Sequence, residues 1–173
     1  MNLEDFEDDR PWRDVPGAFA DVPLVDQIAG VRVQRLTTHA DGRGDLTVLL
    51  SASYEQGVST PHVYLVSAVP GSVRGWVFHR RQHDRLAFMT GRFRIALYDL
   101  RAESVSYRRL NLLDAGEDNR VLLTIPPLVA HCVRNTGTHD AYFVNMPTRA
   151  YDPAAPDKAR LSISHPGVPY VFD

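Results

Sequence analysis

The stretch Gly71 to Gly91, GSVRGWVFHRRQHDRLAFMTG, decides how this chain is read. It runs Gly71, five residues, Val77, one residue, His79, four residues, Asp84, six residues, Gly91. Side chains two apart on a strand point to the same face, so Val77 and His79 can share one lumen. Val77 can neither ligate a metal nor move a proton, which leaves His79 and Asp84 as the chemistry-bearing pair of this segment.

A second patterned stretch follows some way downstream, from Ile125 to Asn135, IPPLVAHCVRN. Pro126, His131 and Asn135 fall on the marks of a Pro, Gly, His, Asn series, with Leu128 in the Gly place. Together the two stretches resemble the paired motifs of the cupins. In the metal-binding cupins the Val77 and His79 positions are both His and the Asp84 position is Glu. The resemblance implies an all-β cupin jelly-roll, a double-stranded β-helix barrel.

The rest of the chain reads the same way. From Val31 onward, VRVQRL, LTVLL, HVYLV, RFRIALY, VLLTI and AYFVNM are short runs bounded by Gly, Asp, Asn or Pro, the pattern of many short antiparallel strands. No long amphipathic helix interrupts them. Phe93, Ile95 and Leu97 alternate with Arg92, Arg94 and Ala96, which predicts one apolar and one polar face. Residues 1–30, rich in Asp, Pro and Gly, read as an N-terminal arm able to carry a strand to a partner subunit. Residues 31–173 form one barrel domain whose Pro-rich tail begins at Asp152, with Val168 to Phe172 packing back on the barrel.

Composition narrows the function classes. At 173 residues and 44% hydrophobic content the chain has room for one real core. A net charge of -2 gives no basic footprint for nucleic acid, and no apolar run reaches the length of a membrane span. The acidic start, MNLEDFEDDRPWRD, lacks the features of a secretory signal. The single cysteine, Cys132, cannot form an internal disulfide, which fits a reducing, cytoplasmic setting. Of 19 basic residues only Lys158 is Lys, a bias most simply attributed to GC-rich coding. Six arginines lie between Arg74 and Arg94, and guanidinium forks suit phosphate oxygens.

The series His39-Ala-Asp41-Gly-Arg43-Gly44, Arg74-Gly75, Gln82, Asp99-Leu-Arg101, Ile125-Pro-Pro, Ala130-His131 and Tyr151-Asp-Pro resembles the dTDP-4-dehydrorhamnose 3,5-epimerases over roughly residues 30 to 170. The wording is that of a divergent branch, with Gly75-Trp76 and Gln82-His-Asp84-Arg85-Leu86. The resemblance implies a homodimer that needs no metal or other cofactor. It also implies a ligand of one chemical class, a nucleotide-diphosphate 4-keto-6-deoxy sugar. A 4-keto group acidifies the neighbouring C–H bonds, a base forms an enolate, and an acid returns the proton. The enolate oxygen needs a fixed donor or cation while it is negative.

Carried over residue by residue, the family's base falls on Val77, its Lys on Asp84, its Tyr on Asn145, and the Asp behind its base near His165. An Asp beside a developing enolate would repel it by about 4 kcal/mol at ~4 Å and an effective dielectric near 20. His79 matches the second histidine of the related 3,4-ketoisomerases and can act as a base near neutrality. The candidate catalytic residues are therefore His79 and Asp84. The candidate substrate-binding residues are Arg43, Arg74, Gln82, His131 and Asn145, with Arg43, Arg74 and His131 matching family positions near the nucleotide or phosphates. Asp41 and Asp99 read as structural, and Trp76 as core. Two further readings stand beside this one. The first is a non-catalytic nucleotide-sugar-binding barrel. The second is a non-haem iron cupin using His79, Asp84 and His131, two histidines and a carboxylate of the kind that suits Fe(II).

Overall fold

The structure, a computed structural model, describes residues 2–7, 17–52 and 59–172. Residues 8–16 of the expected arm lie outside them. Among the described residues there is one turn of 3-10 helix, Leu3–Asp5, and no α-helix. The strands are β1 (Arg32–Arg35), β2 (Thr37–Asp41), β3 (Gly44–Val48), β4 (Tyr64–Ala68), β5 (Val73–His79) and β6 (Asp84–Thr90). They continue with β7 (Arg92–Asp99), β8 (Leu110–Gly116), β9 (Val121–Ile125), β10 (Val129–Asn135), β11 (Ala141–Asn145) and β12 (Lys158–Arg160).

Two five-stranded sheets face each other in the orders β1-β9-β6-β11-β4 and β12-β5-β10-β7-β8, and β2 and β3 form a separate hairpin. Every pairing is antiparallel. This is the jelly-roll the two motifs imply. The turn between β6 and β7 requires Gly91, at φ +72°, because a Cβ there would run into Ala141. The closing glycine of the first motif is thus a packing requirement.

The space between the sheets is filled by the inward rows of both. Phe88, Phe93 and Phe143 meet in tilted and edge-on contacts with centroids 5.1 to 5.7 Å apart, a favoured arrangement for aromatic quadrupoles. Ile95, Leu97, Leu123 and Val129 are fully buried around them. The alternation along β7 is confirmed on its apolar side. On the other side Ala96 is buried, not solvated: it packs with Trp76, Ala130 and Cys132 under Val168, Tyr170 and Phe172 of the tail. The tail therefore covers the outer face of its sheet, which a strand pattern alone does not disclose.

From residue 17 the N-terminal segment lies along its own barrel. Val22 N–H donates to Val33 O at 2.7 Å, Phe19 caps the outer face of the first sheet with Leu36, Ala87 and Leu122, and Ile28 enters the main core fully buried. Asn111 holds this crossing, its Oδ1 accepting from Ile28 N–H at 2.8 Å.

Candidate active site

Strand register decides which polar side chains can meet. Residues directly opposite each other across an antiparallel pair share a face. In the first sheet Asn145 stands opposite Tyr64 on one side and Leu86 on the other, and Asp84, two residues before Leu86, is on that same face. In the second sheet His131 stands opposite Val77, and Lys158 stands opposite His79. One wall of the barrel's polar end therefore carries Tyr64, Asn145 and Asp84, and the facing wall carries Lys158, His79 and His131.

The two walls meet at Asp84. Its Oδ2 lies 3.2 Å from His79 Nε2 and 3.4 Å from His131 Nε2. Its Oδ1 accepts from Gln82 Nε2 at 2.8 Å and from Asn145 Nδ2 at 3.4 Å. A carboxylate accepts only, so each facing nitrogen carries a proton. Burial works to raise the Asp84 pKa, but the hydrogen bonds and charge of His131 and His79 outweigh it and hold the carboxyl well below the usual carboxylate range. The carboxylate that the sequence set against an enolate is turned toward the two histidines. Asp84 stands behind His79 and is almost wholly buried.

His79 lines a cleft of about 540 Å³ together with Tyr64, Gln82, Arg149, Tyr151, Asp157 and Lys158 among others. With Nε2–H given to Asp84, the tautomer that serves as a base has its lone pair on Nδ1. That atom is closed off from solvent and has no hydrogen-bond partner among the described residues. Asp157 Oδ2 lies 4.0 Å from it and is itself fixed by the backbone N–H groups of Arg81 and Gln82 at 3.0 and 2.9 Å. These bonds outweigh burial and lower the Asp157 pKa. The second motif supports the same strand end. Leu128, in the left-handed region at φ +61°, donates its N–H to His79 O at 2.8 Å.

The remaining sequence-predicted residues divide. Gln82 and Asn145 join the site as supports of Asp84, and His131 completes a triad with it, buried and outside the cleft lining. Arg43 sits at the tip of the β2–β3 hairpin, its side chain 91% exposed and paired with Asp41. Arg74 is exposed on β5 and donates to Ser67 O at 2.6 Å. Neither lines the cleft of its own chain. His165 lies in an exposed turn, its Nδ1 accepting from Gly167 N–H, and the carboxylate behind the histidine is Asp84. Asp99 is structural, gripped by Arg101 and Ser106. Among the described residues no group of three or more His, Cys, Asp or Glu is placed to hold a metal ion. His79, Asp84 and His131 close on one another by hydrogen bonds.

Two residues enter that the sequence pattern did not single out. Tyr64 comes from the edge strand β4, and its hydroxyl accepts from Asn145 Nδ2 at 2.7 Å. Lys158, the one lysine, comes from the short strand β12. Burial and nearby Arg160 lower its pKa, against the opposing pull of Asp84. The lone lysine among 18 arginines was a signal, but nothing in the sequence pairs residue 158 with residue 79.

The fold and the polar barrel end define a cupin-type jelly-roll with a buried histidine–carboxylate cluster between its two sheets. The chain belongs to the polysaccharide biosynthesis C-terminal domain family, which matches residues 39–159. It is 32% identical over 134 residues to the spore coat polysaccharide biosynthesis protein SpsL of Bacillus subtilis, covering 78% of this chain and 89% of that protein. It is 30% identical over 136 residues to the probable low-salt glycan biosynthesis epimerase Agl13 of Haloferax volcanii, covering 78% and 87%. Among solved structures, a dTDP sugar isomerase from Desulfovibrio desulfuricans superposes with a TM-score of 0.79 at 24% identity, over 86% of this chain and 94% of that one. A dTDP-4-dehydrorhamnose 3,5-epimerase from Sulfolobus tokodaii gives 0.69 at 20% identity, over 83% and 82%. These two likenesses bear out the expected barrel.

Proposed function

We propose that this chain is an epimerase or isomerase that acts on a nucleotide-diphosphate 4-keto-6-deoxy sugar by enolisation next to the keto group. The observation that carries the reading is the placement of His79: Nε2 is anchored on a buried carboxylate, and the ring lines a cleft large enough for a hexose. An unpaired buried ring nitrogen is costly as a purely structural feature and suits a general base. Once a small turn of the ring brings it into the cleft, His79 Nδ1 takes the acidic proton from the carbon beside the carbonyl. The C–H electron pair moves into the new C=C bond, and the carbonyl pair moves onto oxygen. The imidazolium so formed lies between Asp84 and Asp157. Lys158, opposite His79 in register, supplies the cation for the enolate oxygen.

The names carried by the related proteins, a glycan biosynthesis epimerase and a dTDP sugar isomerase, support the same substrate class. The diphosphate would meet Arg80, Arg81 and Arg149, which line the cleft, in place of the expected Arg74. A homodimer accounts for Arg43: it stands on a hairpin outside both barrel sheets, where a second copy's cleft is the available destination. A reducing cytoplasmic setting fits the single buried thiol of Cys132.

The test is to incubate the purified chain with dTDP-4-keto-6-deoxyglucose and follow the sugar by NMR. A new epimer or keto isomer, absent with His79→Ala, is expected. Nucleotide binding with an unchanged sugar would make the chain a binder instead.

A further inference from the structure

We propose that Tyr64 is the proton donor on the face of the sugar opposite His79, so that inversion depends on a phenol brought in by the edge strand β4. This rests on the enolisation reading above. Removing and returning a proton with one base on one face gives exchange without inversion, so net epimerisation needs a second group across the ring plane. Register supplies such a group. His79 projects from the β12-β5-β10 wall and Tyr64 from the facing β6-β11-β4 wall, and both line the same cleft. A flat ring lying between the two sheets has one on each side.

The hydrogen bonding at Tyr64 fixes which way its proton points. Asn145 Nδ2 donates both to Tyr64 Oη at 2.7 Å and to Asp84 Oδ1 at 3.4 Å. The alternative amide orientation would set Asn145 Oδ1 against an acceptor-only carboxylate, so Asp84 enforces the orientation observed. The phenol oxygen therefore accepts from Asn145, and its own O–H is left to donate elsewhere, into the cleft. Burial and the nearby Asp84 charge raise the Tyr64 pKa, against the Asn145 bond, which keeps the phenol protonated until a stronger base, the enolate carbon, draws on it. In the donation step the O–H bond breaks, the enolate C=C pair forms the new C–H bond, and the phenolate keeps the O–H pair. Asn145 then donates to that phenolate. Proton return from solvent restores the phenol, and the imidazolium of His79 gives up its proton, so the cycle balances.

The chain uses Asn145 at the position where the sequence resemblance expects a tyrosine, and the asparagine there binds the tyrosine of the adjacent strand. That juxtaposition gives Tyr64 its role and gives Asn145 its reason.

The experiment compares the full-length wild type with Tyr64→Phe, using dTDP-4-keto-6-deoxyglucose in deuterated water and following deuterium uptake and epimer formation in one NMR series. Tyr64→Phe is expected to keep deuterium uptake within about threefold while epimer formation falls by about a hundredfold or more, the usual contribution of a positioned acid. Tyr64→Gln, which can still meet Asn145 but cannot supply a phenol proton, is expected to behave alike, and thermal melting of both checks folding. Epimer formation at the wild-type rate in either folded variant overturns the proposal alone. Equal loss of uptake and inversion overturns it too, since Tyr64 would then serve enolisation itself. No uptake by the wild type overturns the enolisation reading and this proposal with it.

Discussion

Replacing Asp84 by Asn tests the histidine–carboxylate pair with almost no change in volume. At the 3.2 Å between His79 Nε2 and Asp84 Oδ2, an imidazolium and a carboxylate attract by about 5 kcal/mol at an effective dielectric near 20. The amide oxygen can still accept a hydrogen bond worth about 1 kcal/mol. The net loss on forming the His79 imidazolium is then about 4 kcal/mol, close to a thousandfold in the rate of proton removal. Stability suffers as well, for a separate reason. Four donors point at this carboxylate, from His79, His131, Gln82 and Asn145, and whichever way the new amide turns, its NH₂ faces donors. Leaving such groups unpaired costs about 1–3 kcal/mol, or a melting temperature lower by roughly 2–12 °C for a domain of this size. The assay is single-turnover deuterium uptake at the carbon beside the keto group, with calorimetry alongside. Uptake within tenfold of wild type in a folded Asp84→Asn protein would refute the role given to Asp84.

Acid stability should follow the same carboxylate. Its pKa is lowered in the fold from an ordinary 3.8, so its contribution is fully present above about pH 4. Below that the unfolded chain takes up a proton the folded chain refuses, and stability falls by about 1.4 kcal/mol per pH unit from this group. Denaturant midpoints between pH 4 and pH 2.5 should fall less steeply in Asp84→Asn than in wild type, and parallel slopes would contradict this. Gly75→Ala should be severely destabilising, because a Cβ there would lie 2.6 Å from Cys132 Cα at φ +143°. A loss of about 3 kcal/mol or more, seen as a large drop in melting temperature or in soluble yield, is expected, and an unchanged melt would show that the β5–β10 contact yields. Asp157→Ala removes the acceptor for the Arg81 and Gln82 N–H groups. Limited proteolysis should then cut near residues 150–157 several times faster, and unchanged cutting would show that β12 alone holds this segment.

The fold was readable because its signals are local. Short alternating runs, turn residues and two spaced motifs place β5, β6, β9 and β10, and Gly91 and Trp76 then do the packing work their residue types suggest. The buried Ala96 face was not readable, since it depends on where a tail some seventy residues away lies down. The site shows the same divide. His79 ends β5 and Asp84 begins β6, five residues on across the turn from one sheet to the other, and their meeting follows from the motif. Tyr64 and Asn145 are far apart in sequence and meet only through the β4–β11 register, and Lys158 reaches His79 only because a three-residue strand adds to the edge of β5. Residue-by-residue transfer from the related epimerases fixes positions along one strand, whereas the polar barrel end is shared by six. A group lost at Asn145 can be replaced from the neighbouring strand without leaving a mark in the motif.

The most direct test of the central claim is proton NMR of the wild type and His79→Gln with dTDP-4-keto-6-deoxyglucose in deuterated water. The expected result is deuterium at C3, or at C3 and C5, with the wild type and none above background with His79→Gln. A bound but unexchanged sugar with the wild type, or undiminished exchange with His79→Gln, would contradict it.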